Sequence, residues 1–152
     1  MNNAQNTKTS RDLFKNIQKA VGVEFEKLGD SIPTLEAPKT QVVRVLAILR
    51  TRPDLKFEFL TDIAVLDHPV SERRFEVNYL IMSVLNKCRL NVRTYVEEDE
   101  YLDSIASLYQ SANWRECEIN EMFGIPFKNN RKMRQLFNVK DDVPLRKVRF
   151  LR

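Results

Sequence analysis

An α+β fold is what this sequence predicts: a single two-layer domain with a mainly antiparallel sheet packed by helices, plus an extended basic C-terminal tail. Three observations predict it. Apolar residues recur at three- and four-residue spacing early in the chain, alternate every second residue between Phe57 and Val96, and return to helical spacing near Trp114. The joints between the alternating runs are short, which favours antiparallel neighbours. Beyond Lys128 both periods fade and basic residues dominate. The expected organisation is a polar segment over 1–10, an α+β body over 11–127 and a partner-binding tail over 128–152.

Each element has a local reason. Ser10 is placed to cap a helix over Arg11–Leu28, where Phe14, Ile17, Val21, Phe25 and Leu28 form one stripe. Gly22 weakens the middle of that helix by roughly 1 kcal/mol relative to alanine, and Gly29 is a natural stop. Pro33 and Pro38 mark a connector. Val42, Val45, Leu46 and Leu49 define a second helix over Gln41–Arg50, closed by Pro53. Phe57, Phe59, Thr61, Ile63 and Val65 then alternate as a strand, and Leu66 to Pro69 reads as a turn. Two more strands follow, on Phe75, Val77, Tyr79 and Ile81 and on Leu90, Val92, Thr94 and Val96. The acidic run Glu97–Glu100 is expected at the N-terminus of a helix carrying Leu102, Ile105, Ala106 and Tyr109. Negative charge there complements the helix dipole by about 0.3–1 kcal/mol per group. Asn113 is placed to cap a last helix through Phe123, stopped by Gly124 and Pro126.

A length of 152 residues fits one domain, and 43% hydrophobic residues suffice for a core. No run of about eighteen apolar residues is present to span a bilayer. Met1–Ser10 lacks the apolar centre of a secretory signal and the basic residues of a mitochondrial presequence. The expectation is a chain that is mature, or made where it works. The net charge of +4 hides a polar distribution. From Glu97 to Glu121 eight acidic residues stand against Arg115, a net of −7; from Lys128 to Arg152 nine basic residues stand against Asp141 and Asp142, a net of +7. Such a split suits docking onto charged partners. The tail also reads as a nucleic-acid arm, with Phe127, Phe137 and Phe150 as aromatic company. Its Leu136, Val139, Val143, Leu145 and Leu151 suit a protein partner instead, and both readings stand at this point.

The candidates for chemistry are few. Cys88 and Cys117 are 29 positions apart and, with His68, cannot assemble the three or four ligands of a zinc or iron–sulfur site; both are expected as buried thiols. Gly22, Gly29 and Gly124 never reach the spacings of a phosphate-binding loop. His68, beside Pro69, reads as a surface histidine. In the helix Trp114–Phe123, Ile119, Met122 and Phe123 share one face, while Glu118 and Glu121 flank Trp114 and Cys117. That carboxylate pair serves either acid–base chemistry or pairing with arginines. A dinuclear metal site is disfavoured because no Glu-x-x-His motif accompanies it.

Five blocks in order then resemble a known family. Leu60 to Pro69 resembles the LTDITAVDYP segment of the 30 kDa (C-type) subunit of respiratory complex I, and Arg74 to Tyr79 resembles its RFEVVY strand. Asn113 to Ile125 is similar to the signature NWxEREVYDMFGI. Arg134 with Leu136, and Pro144-Leu145-Arg146-Lys147, fit the downstream RxI/L and HPLRK elements. Cys117 replaces the signature's arginine, Glu121 its aspartate, Asn130 a usual histidine and Val148 an aspartate, marking a divergent member. The chain ends at Arg152, where relatives usually continue.

The resemblance implies a non-catalytic scaffold in the peripheral arm of proton-translocating NADH:ubiquinone oxidoreductase, docked on the 49 kDa quinone-site subunit and its neighbours. It implies no catalytic residue, cofactor or metal in this chain; NADH, FMN, iron–sulfur clusters and ubiquinone belong to other subunits. The place it implies is the matrix side of the mitochondrial inner membrane, or the cytoplasmic face of a bacterial plasma membrane, without spanning it and without nucleic acid. The signature and interface residues it implies are Trp114, Glu116, Glu118, Glu121, Phe123, Gly124, Arg134, Pro144, Leu145, Arg146 and Lys147. The alternative is a small RNA-associated protein, for instance of the mitochondrial ribosome, using the basic tail.

Overall fold

Gly22 ends the first helix rather than weakening it. The computed structural model describes residues 13–22, the backbone of 25–26, and residues 32–132 and 146. Helix α1 is described over 13–21. Gly22 follows it at φ +72°, its N–H still donating to the Gln18 carbonyl at 2.7 Å. This left-handed conformation is free of steric cost only without a Cβ. Phe25–Glu26 form strand β1. The expected continuation to Leu28 is therefore corrected: the turn geometry at Gly22 outweighs the helical spacing of Phe25. Ser10 and Gly29 lie outside the described residues. Thr34–Glu36 form β2, within the stretch expected as a connector. After a 3-10 turn at Lys39–Gln41, helix α2 spans Val42–Thr51 and buries Val42, Val45, Leu46 and Leu49, the stripe its spacing predicts.

Strands β3 (Phe59–Asp67), β4 (Phe75–Ser83) and β5 (Cys88–Val96) form an antiparallel meander. The full sheet has the order β1-β2-β5-β4-β3, with β2 parallel to β5 and every other pair antiparallel. Tyr79 lies opposite both Ile63 and Val92. With Phe75, Val77, Ile81, Leu90 and Val96 they make the face that joins α1 and α2 in one core. Two boundaries move. Phe57 precedes β3 yet is fully buried, and Leu66 and Asp67 belong to the strand rather than to a turn. A register shift between Leu60 and Asp62 puts Leu60 opposite Ile81 and Asp62 opposite Leu80, next in line on the partner strand. Phe59 and Leu66 are left half exposed on the outer face.

The helix expected after the acidic run does not form. Leu102–Asp103 (β6) instead pairs in parallel with Phe127–Lys128 (β7), and turns fill the stretch after Ile105. Leu102, Ile105 and Tyr109 are buried as their spacing suggests, but by a strand and turns rather than a helix. The Tyr109 hydroxyl donates to the Phe57 carbonyl at 2.7 Å, which pins this stretch to the joint between α2 and β3. Helix α3 spans Ala112–Phe123. Asn113 lies in its first turn and donates to the Gln110 carbonyl instead of capping. Gly124, at φ +70°, closes it, with its N–H on the Asn120 carbonyl at 2.9 Å. Lys128 is a strand residue, so the expected body–tail border at 127/128 falls inside β7.

A Cβ added at Gly22 meets no atom within 4 Å, so only backbone strain opposes it. Gly22→Ala is expected to destabilise the protein by about 1 kcal/mol, and Gly22→Asn by less. Urea unfolding checks this; a more stable alanine variant would contradict left-handed termination.

Candidate functional site

Helix α3 carries the signature, and its inward face presents a carboxylate. Glu116 is completely buried. Its Oε1 accepts the Ile105 N–H at 2.8 Å; its Oε2 accepts the Ser104 hydroxyl at 2.6 Å and the Asn130 side-chain amide at 2.7 Å. An uncompensated buried charge is costly, and three donors offset much of that cost. Burial still wins, and it holds the Glu116 carboxyl above the usual carboxylate range despite the three hydrogen bonds. Burial, and after it the charge on Glu116, also pushes up the phenol of the fully buried Tyr79. The bonds join three elements: α3, the segment after β6, and the turn after β7. Glu116 therefore meets the interior of its own chain, not a partner surface.

The pair weighed for acid–base work does not form a site. Glu118 accepts Arg115 Nη1 at 2.9 Å, and Arg115 Nε reaches Asp62 Oδ1 on β3 at 3.0 Å, so the pairing with arginine is the one observed. Glu121 is half-buried and also engaged. Trp114 is 52% exposed on the solvent side of α3, so it is not a buried anchor. Cys117 is buried, its thiol 4.0 Å from the Lys132 carbonyl. Cys88, expected to be buried as well, is only half-buried. His68 is half exposed, with Nε2 3.4 Å from Glu76 Oε2.

A second cluster gathers at the C-terminal end of α3. Arg74 is 3% exposed and binds Asp67 through two nitrogens, Nε to Oδ1 at 3.0 Å and Nη2 to Oδ2 at 3.3 Å. Its Nη1 reaches Glu98 Oε1 at 2.7 Å. The Asp67 carboxylate, foremost, keeps this guanidinium charged despite burial. Arg146 approaches the same Glu98 oxygen at 3.4 Å and donates from Nε to the Phe123 carbonyl at 3.0 Å. The Phe75 ring lies 5.0 Å from the Arg74 guanidinium and 5.2 Å from that of Arg146 and meets Phe123 edge-to-face at 6.4 Å. Thus Glu98 closes an ion network rather than facing a helix dipole. Glu100 binds Lys39 and the Glu97 N–H, and Lys39 draws its carboxyl below the usual range.

Of the residues expected at the interface, Glu116, Phe123, Gly124 and Arg146 are thus engaged within the chain. Arg134, Pro144, Leu145 and Lys147 lie outside the described residues. Ser104 carries no periodic or motif signal in the sequence; Asp67, Arg74 and Asn130 are visible only through the resemblance, and Glu98 only as part of the acidic run. Among the described residues no group of three His, Cys, Asp or Glu is placed to hold a metal ion, and no helix is long and apolar enough to cross a membrane.

Fold and site define an α+β protein whose signature helix is locked into the body through a buried carboxylate. The chain belongs to the family described as respiratory-chain NADH dehydrogenase, 30 Kd subunit, which matches residues 35–150. It is 39% identical over 117 residues to the C-type subunit of the NADH-quinone oxidoreductase of Citrifermentans bemidjiense, covering 75% of this chain and 71% of that protein. It is 31% identical over 122 residues to the corresponding NADH-quinone oxidoreductase protein of Wolbachia sp. subsp. Brugia malayi, covering 80% and 64%. To NADH-ubiquinone oxidoreductase subunit 9 of Reclinomonas americana it is 32% identical over 103 residues, covering 68% and 50%. The chain thus spans about half to two thirds of the length of most of these relatives. Among solved structures, a trypsin-resistant fragment of Nqo5 superposes with TM-score 0.64 at 26% identity, over 80% of this chain and 97% of the fragment. A chain of an archaeal respiratory complex, the membrane-bound sulfane sulfur reductase, shares the fold with TM-score 0.75 at 21% identity, over 87% and 78%.

Glu116→Ala strands three donors and is expected to cost about 3 kcal/mol. Glu116→Gln isolates the charge. Because burial raises the folded-state carboxyl, its contribution is fully present below the ordinary value of 4.5 and is lost as pH rises through the folded value. Wild type should therefore lose stability relative to Glu116→Gln as pH rises above 4.5. Unfolding of both proteins across that range measures it, and a wild-type advantage that grows with pH would overturn the assignment.

Proposed function

We propose that this chain is a non-catalytic scaffold subunit in the peripheral arm of a proton-translocating NADH:quinone oxidoreductase, docking on the 49 kDa quinone-site subunit. The observation that carries this reading is the family match over residues 35–150. The use of the charged signature residues supports it: Glu116 and Arg146 hold elements of the chain together, and Glu118 is paired with Arg115 on its own helix. Outward, the chain offers Trp114 on α3 and Phe59 and Leu66 on the sheet, each about half exposed. Aromatic side chains such as Trp114 and Phe59 are the kind enriched at protein interfaces. The contribution to turnover is positional: a docked, stiff body holds its neighbours at fixed distances, and sub-ångström placement governs coupling. Flavin, iron–sulfur clusters, NADH and quinone sit in other subunits on this reading. Its place is the matrix side of the inner membrane, or the cytoplasmic side of a bacterial membrane.

Capture of the tagged chain from its native membranes is expected to bring down a large assembly with NADH dehydrogenase activity; a solitary chain would refute the reading. Arg146→Glu with Lys147→Glu sets a second carboxylate beside Glu98 and should lower the assembly's yield on native gels, whereas an unchanged yield would remove the tail from the docking scheme. Glu118→Gln is expected to leave assembly and quinone reduction within about twofold of wild type, as loss of one part-exposed ion pair implies. A loss of turnover at full assembly would instead make that carboxylate catalytic.

A further inference from the structure

An open cleft of about 880 Å³ lies between α2, the turns after β6, the start of α3 and the turn after β7. Three exposed cations line it: Arg50, Arg131 and Lys132. Among the described residues no carboxylate pairs with any of them, although Arg52, Arg73, Arg74, Arg93, Arg115, Arg146 and Lys39 all have such partners. Their placement is built, not incidental. The Arg50 guanidinium lies 5.5 Å from the Tyr109 ring centre, and that ring is fixed by its hydroxyl on Phe57. Arg131 and Lys132 sit on a turn in which the Lys132 N–H donates to Asn130 Oδ1 at 2.9 Å, while the Asn130 amide is held by Glu116. The buried carboxylate thereby sets the turn that aims two cations at the cleft.

The rest of the lining narrows the ligand. Ser107, Gln110 and Asn113 supply hydroxyl and amide groups that both donate and accept. A peptide backbone, with an N–H and a C=O on each residue, needs such two-way partners; a phosphate needs donors alone. Among the described residues no aromatic side chain lines the cleft, so they offer none of the stacking platforms that single-stranded nucleic acid uses. A small anion in a site this open keeps most of its water, and binding then needs a ligand that touches several groups at once. We propose that this cleft is the docking site for an extended, acidic peptide segment of a neighbouring subunit, its carboxylates on Arg50, Arg131 and Lys132 and its backbone on Gln110 and Asn113. The inference rests on the scaffold reading above, since it takes the segment from a partner in the assembly.

The full chain can be titrated with a fluorescent peptide in which glutamates alternate with glycine and serine, following anisotropy. Binding is expected, weakening as salt rises and falling about tenfold for each of Arg50→Glu and Lys132→Glu. Arg89→Glu, the same charge change outside the cleft, should leave it unaltered, with equal thermal stability for all variants. No peptide binding overturns the proposal. So does equal affinity for a single-stranded RNA of matched charge, or full competition by inorganic phosphate. A photo-crosslinker at Ser107 in the assembled complex should then capture an acidic stretch of one neighbour. An intact assembly without that crosslink sinks the cleft proposal and spares the scaffold reading; a chain found in no assembly sinks the scaffold reading itself.

Discussion

The Glu116 carboxylate is the constraint around which the rest of this chain is arranged. It is one side chain on one turn of α3, yet the Ser104, Ile105 and Asn130 groups that bind it come from stretches on either side of the helix in sequence. Without it, the Ile105 N–H and the Ser104 hydroxyl would lose their acceptor in the interior, and β6 and β7 would lose the brace behind their two-residue pairing. A carboxylate suits the position because it accepts from all three donors and offers no proton of its own when ionised. The cost is a charge taken out of water, which the raised carboxyl of Glu116 records.

The Arg74 network repeats the same logic at the other end of the helix. An arginine inside a protein is tolerable only when its planar fork is filled, and Asp67 and Glu98 fill it from two different strand ends. Glu98 then has reach left for Arg146, so one acidic residue couples the sheet to the tail. The acidic surplus between Glu97 and Glu121 thus serves largely within the molecule. Charge segregation along a sequence resembles a docking code; in three dimensions much of the acidic stretch is paired within the chain, while the cations at the cleft beside α3 have no carboxylate partner among the described residues.

Long, regular elements were legible in the sequence. Alternation marked β4 and β5 closely, and the stripe on α2 matched the four residues that helix buries. What the periodicities missed has a physical reason in each case. Helical spacing at Leu102, Ile105 and Tyr109 reports burial on one side, which successive turns achieve as well as a helix does. At Gly22, a single left-handed residue ended the stripe of Phe14, Ile17 and Val21, although Phe25 continues it in register. β2 is three residues long, too short to show alternation, and exists through pairing with a strand far away in sequence. Of the site, the family signature points to the right helix, but on the sequence Glu118 and Glu121 stand out as an i,i+3 pair while Glu116 does not. Burial of Glu116 follows from what packs against it, which no helical projection contains.

That short parallel strand also bears on how the chain reaches its native state. Thr34 and Asn91 meet across 57 residues, whereas β3, β4 and β5 are joined by tight loops. Closing a long loop costs entropy before any contact repays it. The meander is therefore the natural nucleus, with β2 and the N-terminal helix added to a sheet edge that already exists. A ribosome delivers this chain in the opposite order, so the N-terminal elements emerge first and wait for the template that orders them.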